Sequence, residues 1–193
     1  MDATTQYALA YALTTTAGLR GFLTLFVASI ATHVGLLHPS ATFQWLGSDG
    51  ATIVLGVFAV LEVIADKFPG VDHAMHAIYF VVRPVAAAIL VGATIHTGSS
   101  ASLYAMMAAG GLNALFVHGS ASTARAASTA TTLGVGNIAL SLLEDAAAGI
   151  GLFLAFTKPI VAAVLALVLV VVLVLAARAA ITRARTLAPR RER

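Results

Sequence analysis

The chain has 193 residues, of which 60% are hydrophobic and only 10% charged, with a net charge of +3 and a mean hydropathy of +0.95. Soluble domains carry about a quarter charged residues, and disordered chains are charged and poor in apolar side chains. Both classes are therefore excluded, and the absence of cysteine removes disulfide scaffolds and thiolate metal centres.

A spanning helix needs about 20 mostly apolar residues to cross a hydrocarbon layer roughly 30 Å thick. Long charge-free runs leave room for six such helices, predicted over residues 6–36, 50–67, 77–96, 101–118, 136–156 and 159–182. His38-Pro39-Ser40 ends the first, and Thr97-Gly98-Ser99-Ser100 divides a run too long for one crossing. Pro84 and Pro159 sit where a helix start tolerates proline. The runs are continuously apolar rather than alternating, which selects helices over a barrel. Residues 119–132, nearly all Ser, Thr, Ala and Gly around Arg125, read equally as a cytoplasmic loop or as a re-entrant segment. The expectation is an all-α integral membrane protein, with one transmembrane domain over 1–182 and a basic cytoplasmic tail over 183–193.

Basic residues prefer the cytoplasmic side. Arg178, Arg183, Arg185, Arg190, Arg191 and Arg193 crowd one end, and six spans then place both termini in the cytoplasm. Lys67, Arg83 and Arg125 fall at cytoplasmic positions in this count, and Lys158 falls outside. The amino-terminal stretch has no basic region before its apolar run, so the first span is expected to be retained. The arginine-rich tail reads as an anchor on anionic headgroups, not as a nucleic-acid surface.

Two segments resemble each other. Arg83-Pro84-Val85-Ala86-Ala87-Ala88-Ile89-Leu90 aligns with Lys158-Pro159-Ile160-Val161-Ala162-Ala163-Val164-Leu165, and each follows an acidic helix, Leu61-Glu62 and Leu143-Glu144. The pattern predicts a 3+3 inverted repeat, over about 6–97 and 101–182. Such repeats commonly hold a binding site at the midplane.

Charges inside lipid cost about 2.5–3.5 kcal/mol each on insertion scales and persist where they are used or paired. Glu62 and Asp66 share a helix face. Asn137, Ser141, Glu144 and Asp145 form a polar stripe on an apolar helix, and Arg20 sits in the middle of the first helix, where Gly18 and Gly21 allow a close approach or a local break. The functional reading is a buried centre in which Glu62, Asp66, Glu144 and Asp145 bind a hard cation or protons, and Arg20 offsets part of their charge. The structural reading pairs the same carboxylates with Arg20 or Arg125 to hold the bundle together. His73 and His76, three apart, form a weak metal-ligand pair in an aqueous loop, while His33, His38, His96 and His118 lie near span ends and read as interfacial. Gly110-Gly111 and Gly149-Ile150-Gly151 read as helix-packing surfaces. No hydrolase or phosphate-loop motif is present, and no set of nucleophile, base and orienting group can be assembled, so the chain is not expected to be an enzyme.

Taken together, Gly18-Leu19-Arg20, Glu62-x-x-x-Asp66-Lys67-x-Pro69-x-x-Asp72, Arg83-Pro84 and Gly136-Asn137-x-x-x-Ser141-x-x-Glu144-Asp145 resemble a bacterial multi-pass membrane family, domain of unknown function 4126. The resemblance runs from about residue 8 to 178 and implies an inner-membrane location without a settled activity. A looser similarity is to cation exchangers whose inverted repeats carry E-x-G-D-K-T/S. Here Ala65 replaces the glycine, Phe68 the hydroxyl residue, and Glu144-Asp145 lacks the lysine.

The leading expectation is a small transporter for an ion or small polar solute. An oxygen-only donor set favours Mn²⁺, Ca²⁺, Mg²⁺ or protons as its substrate, and Arg20 and Arg125 leave an anion open. The alternative is a membrane scaffold whose buried charges are structural. The expected partners are the lipid bilayer and the solute, with further copies of the chain left open and nucleic acid excluded.

Overall fold

The structure is a computed structural model and describes residues 1–65, 67 and 69–187, the backbone alone over 69–77 and 183–187. It is helical throughout, with no strand among the described residues. In chain order the elements are α1 (Ala3–Leu19), α2 (Gly21–His33), a 3₁₀ turn (Ala41–Gly47), α3 (Asp49–Ala65), α4 (Pro69–Thr94), α5 (Ser100–Thr132), α6 (Val135–Thr157) and α7 (Pro159–Leu187).

Asp2 caps α1 by accepting a hydrogen bond from the Thr5 backbone N–H at 2.7 Å. That bond holds its carboxyl below the ordinary aspartate range. At the other end of α1, Arg20 leaves helical geometry with φ −142° and ψ 92°, and α2 starts afresh at Gly21. The continuous helix expected over 6–36 is thus two helices with an extended residue between them. Ser99 caps α5, so the break expected at 97–100 is present. Pro159 opens α7 as expected. Pro84 does not open a helix: it lies inside α4, which begins at Pro69. Residues 119–132 are neither loop nor re-entrant segment. They continue α5, and the chain turns only at Leu133 and Gly134, both at positive φ.

α1 is the central helix, packed against α2, α4, α5, α6 and α7. It can be surrounded because its side chains are small. Thr14 and Gly18, four residues apart, face Gly110, Ala114 and Val117 of α5. This is the small-residue contact by which apolar helices approach closely in lipid. A Cβ on Gly18 would lie 2.6 Å from Val117 Cβ and 2.8 Å from the Ala114 carbonyl oxygen. One on Gly110 would meet Val91 and Thr14, and one on Gly111 the Pro84 carbonyl, as expected of a packing surface. Gly151 approaches Thr16, but Gly149 faces open space. Asn113 adds a polar stitch, its amide donating to Thr14 Oγ1 and Thr15 Oγ1 at 3.0 Å each.

The contrast between two glycines yields a prediction. Gly18→Ala forces α1 and α5 apart and should cost about 1–3 kcal/mol or more. Gly119→Ala, also on α5 but with nothing within 4 Å of the new methyl, should be neutral or slightly stabilising. Thermal unfolding of both variants in one detergent checks this, and equal melting temperatures would reject the packing argument.

Among the described residues three helices are long and apolar enough to cross a membrane: α5, α6 and α7. A fourth crossing is available if the 3₁₀ turn and α3, bent by 66°, act as one. The most apolar of them, α7, turns Val164, Leu167, Val168, Val171 and Val172 outward.

Candidate functional site

Breaking a helix inside an apolar bundle leaves carbonyls at one end and N–H groups at the other without intrahelical partners. Lipid offers no water to satisfy them. Here charged side chains do so, with signs that match the two helix ends. At the carboxyl end of α1, Arg83 Nη1 donates to the Gly18 carbonyl at 3.1 Å, and Arg20 Nη1 donates to the Leu19 carbonyl at 3.5 Å. At the amino end of α2, Glu62 Oε1 accepts from the Gly21 N–H at 2.9 Å and Oε2 from the Leu23 N–H at 3.1 Å. Glu62 also faces Arg83 Nε at 3.8 Å.

A second layer comes from α6. Arg20, fully buried, donates from Nε to Asp145 Oδ1 at 2.7 Å and from Nη2 to the Ser141 hydroxyl at 3.1 Å and carbonyl at 3.3 Å. Its Nη1 lies 3.6 Å from Glu144 Oε2. Asp145 is shared, since Lys67 Nζ donates to its other oxygen at 2.8 Å. Glu144 is shared as well: Arg125 forks onto it, Nε to Oε1 at 3.2 Å and Nη2 to Oε2 at 2.5 Å. Bidentate guanidinium–carboxylate contacts are the strongest of these pairings.

A third layer is aromatic. The Arg83 guanidinium sits 4.5 Å above the Tyr79 ring, and Arg83 Nη1 lies 2.6 Å from His118 Nδ1. At that distance from a guanidinium, His118 Nδ1 acts as the acceptor, so the proton of a neutral ring is on Nε2.

Of the residues singled out in the sequence, Arg20, Glu62, Ser141, Glu144 and Asp145 converge on the break. Asn137 does not. It lies two turns before Glu144 on α6, and its amide donates to Thr129 Oγ1 at 2.8 Å. Asp66 lies outside the described residues, as do the side chains of Asp72, His73 and His76. Among the described residues no three His, Asp or Glu side chains gather as metal ligands. Each described carboxylate of the cluster already faces arginine or lysine.

Arg83 and Arg125 are 3% and 5% exposed, buried as partners of carboxylates. One expectation needs correction. His118 is 1% exposed, not interfacial: it packs against Arg83, Tyr79 and Phe80. Both placements had a signal. Arg83, like Arg20, is a lone arginine in an otherwise apolar run. His118 follows Gly110 and Ala114 at spacings of four on the packing face of α5. Asn113, also overlooked, precedes Ala114 on the same helix.

One helical turn from Arg20, a cavity of about 160 Å³ lies between α1, α6 and α7. Thr15, Thr16, Ala147 and Gly151 are among its lining residues. It is large enough for several waters.

Domain of unknown function (DUF4126) matches residues 7–179, nearly the whole chain, and the protein belongs to that family. No curated protein and no solved structure matches it significantly.

Proposed function

We propose that this DUF4126 protein is a small membrane transporter for an ion or small polar solute, with the charge cluster at the α1–α2 break as its ion-handling centre. One observation carries the reading: a discontinuous helix among apolar helices, with both broken ends held by ion pairs that share partners. Discontinuous helices of this kind commonly form the binding sites of secondary transporters. Arg20 stands between Glu144 and Asp145, Glu144 between Arg20 and Arg125, and Asp145 between Arg20 and Lys67. Protonating one carboxylate releases an arginine or lysine to its neighbour, a rearrangement of packed groups rather than a large motion.

The same pairing favours a proton over a hard metal ion. Mn²⁺, Ca²⁺ or Mg²⁺ would have to displace guanidinium or ammonium groups from Glu62, Glu144 and Asp145, whereas a proton adds to an oxygen directly. Hard-cation binding that also recruits Asp66 is the second form of the proposal. Six crossings in two inverted sets of three belong to it too, with α1 and α2 as one broken span and both termini in the cytoplasm of an inner membrane. The meeting of Glu62 and Glu144 at one break supports that arrangement. The unequal settings of Arg83-Pro84, inside α4, and Lys158-Pro159, at the start of α7, do not.

A membrane scaffold is the competing reading, supported by the complete pairing of the described carboxylates. Flux through proteoliposomes, across a panel of cations and anions with and without a pH gradient, separates the two. The transporter reading expects proton-linked flux that falls at least about tenfold in Asp145→Asn, the range of a lost acid–base group. Asp145→Asn also takes from buried Arg20 its nearest anion, so stability should fall as well, and flux is compared at equal amounts of folded, reconstituted protein. Flux equal to that of empty vesicles across the whole panel would leave the scaffold.

A further inference from the structure

Away from the charge cluster, α5 and α7 diverge and leave a groove of about 900 Å³ on the outer face of the bundle. That volume is at the upper end for a ligand-sized cleft. Leu112, Phe116, Val174 and Ile181 make its walls apolar, while Ser120, Thr123 and Arg178 form a polar end. Among the described residues no Asp or Glu lines it. Its floor is held open by Gly119, where an added Cβ would meet nothing within 4 Å.

The groove is long enough to take the acyl chains of one leaflet. Arg178 follows Lys158 by twenty residues on α7, a rise of about 30 Å, the thickness of the hydrocarbon layer. Arg178 therefore sits at headgroup level on the side opposite Lys158. From Thr123 back to Ala109 on α5 the groove runs about 21 Å towards the other face, roughly two-thirds of that thickness and enough to pass the midplane.

We infer that this groove holds an anionic membrane phospholipid, its phosphate on Arg178 with Thr123 and Ser120 nearby and its acyl chains along Leu112, Phe116 and Val174. Charge complementarity selects the anionic class: among the described residues the sole charge on the lining is a cation, placed where a phosphate lies. The site is separate from the ion-handling centre, and the inference does not depend on transport.

Native mass spectrometry of the full chain tests it, with added dioleoylphosphatidylglycerol or dioleoylphosphatidylcholine. The unaltered protein should retain the anionic lipid preferentially. Arg178→Gln should lower that retention about fivefold, the worth of one arginine at an anionic surface, and bring it to the level of the zwitterionic lipid. Gly119→Trp, whose Cβ would meet nothing within 4 Å, puts an indole into the groove and should remove retained lipid of both kinds while helical circular dichroism stays unchanged. Arg190→Gln with Arg191→Gln controls for general attraction to the tail and should change nothing. The site is rejected if Arg178→Gln keeps the full preference, if the tail variant abolishes it, or if Gly119→Trp retains lipid as before. Displacement by soluble glycerol phosphate alone, or a lipid-free dimer that Gly119→Trp dissociates, would overturn it as well.

Discussion

Glu62→Gln should destabilise the protein by about 3–5 kcal/mol, the usual consequence of removing one member of a buried charged network. Glu62 is 2% exposed and accepts two backbone N–H groups at once, one on each oxygen. Glutamine has one carbonyl oxygen, so it can satisfy Gly21 or Leu23 but not both. Its amide would face the remaining N–H donor to donor, and Arg83 would lose the charge 3.8 Å away. For a chain of this size the melting temperature in detergent should fall by roughly 10 °C. Glu62→Asp keeps the charge but is one methylene short, and should land between the two. An unchanged melting temperature in Glu62→Gln would mean that the start of α2 does not depend on this carboxylate.

Glu144→Gln should have an effect of similar size for a different reason. It removes the oxygens on which Arg125 forks, and Arg125 is 5% exposed. The informative measurement is a double-mutant cycle. Changing Arg125 to Gln in the Glu144→Gln background should recover part of the lost stability, with a coupling of about 1–3 kcal/mol. Arg20→Gln in the same background should recover less. Arg20 stands 3.6 Å from Glu144 but only 2.7 Å from Asp145, so its main anion remains. Equal recovery by both arginines would contradict this division of partners. Flux through the Glu144→Gln, Arg125→Gln double variant adds a functional outcome. A stable, inactive double variant would mark Glu144 as a working carboxylate, and a stable, active one as a structural one.

The cluster explains how a chain this apolar tolerates several charges in its interior. Each charge satisfies something the fold itself leaves open. Arg83 and Arg20 close the carbonyl end of α1, Glu62 closes the N–H end of α2, and α6 supplies Glu144 and Asp145 to offset the arginines. A transporter can use such an arrangement because several of the pairs share a member, so protonation at one oxygen is felt by the next. A rigid scaffold would have the same pairs without the exchange, and flux is the measurement that tells them apart.

Much of this was determined by the amino-acid sequence alone. Continuous apolar runs in a chain with 10% charge can only be lipid-facing or tightly packed helices. Ser99 as a cap and Pro159 as a first residue act within one turn, so those boundaries were legible locally. The polar stripe of Ser141, Glu144 and Asp145 was legible too, because helical spacing alone puts them on neighbouring faces. What lay across from that stripe was not. Periodicity gives the direction in which a side chain points on its own helix and says nothing of the helix it meets. Only the tertiary structure decided that Arg20 interrupts a helix, since glycine neighbours permit a break but Glu62 and Arg83, more than 40 residues away, satisfy its ends. Only packing decided that Arg83 and Arg125 are internal, because a lone arginine between apolar runs reads the same at a membrane surface as in a core. The long continuation of α5 through Thr132 followed the same logic. A segment of Ser, Thr and Ala has weak preferences of its own, and it is helical here with Arg125 held against Glu144 of the neighbouring helix.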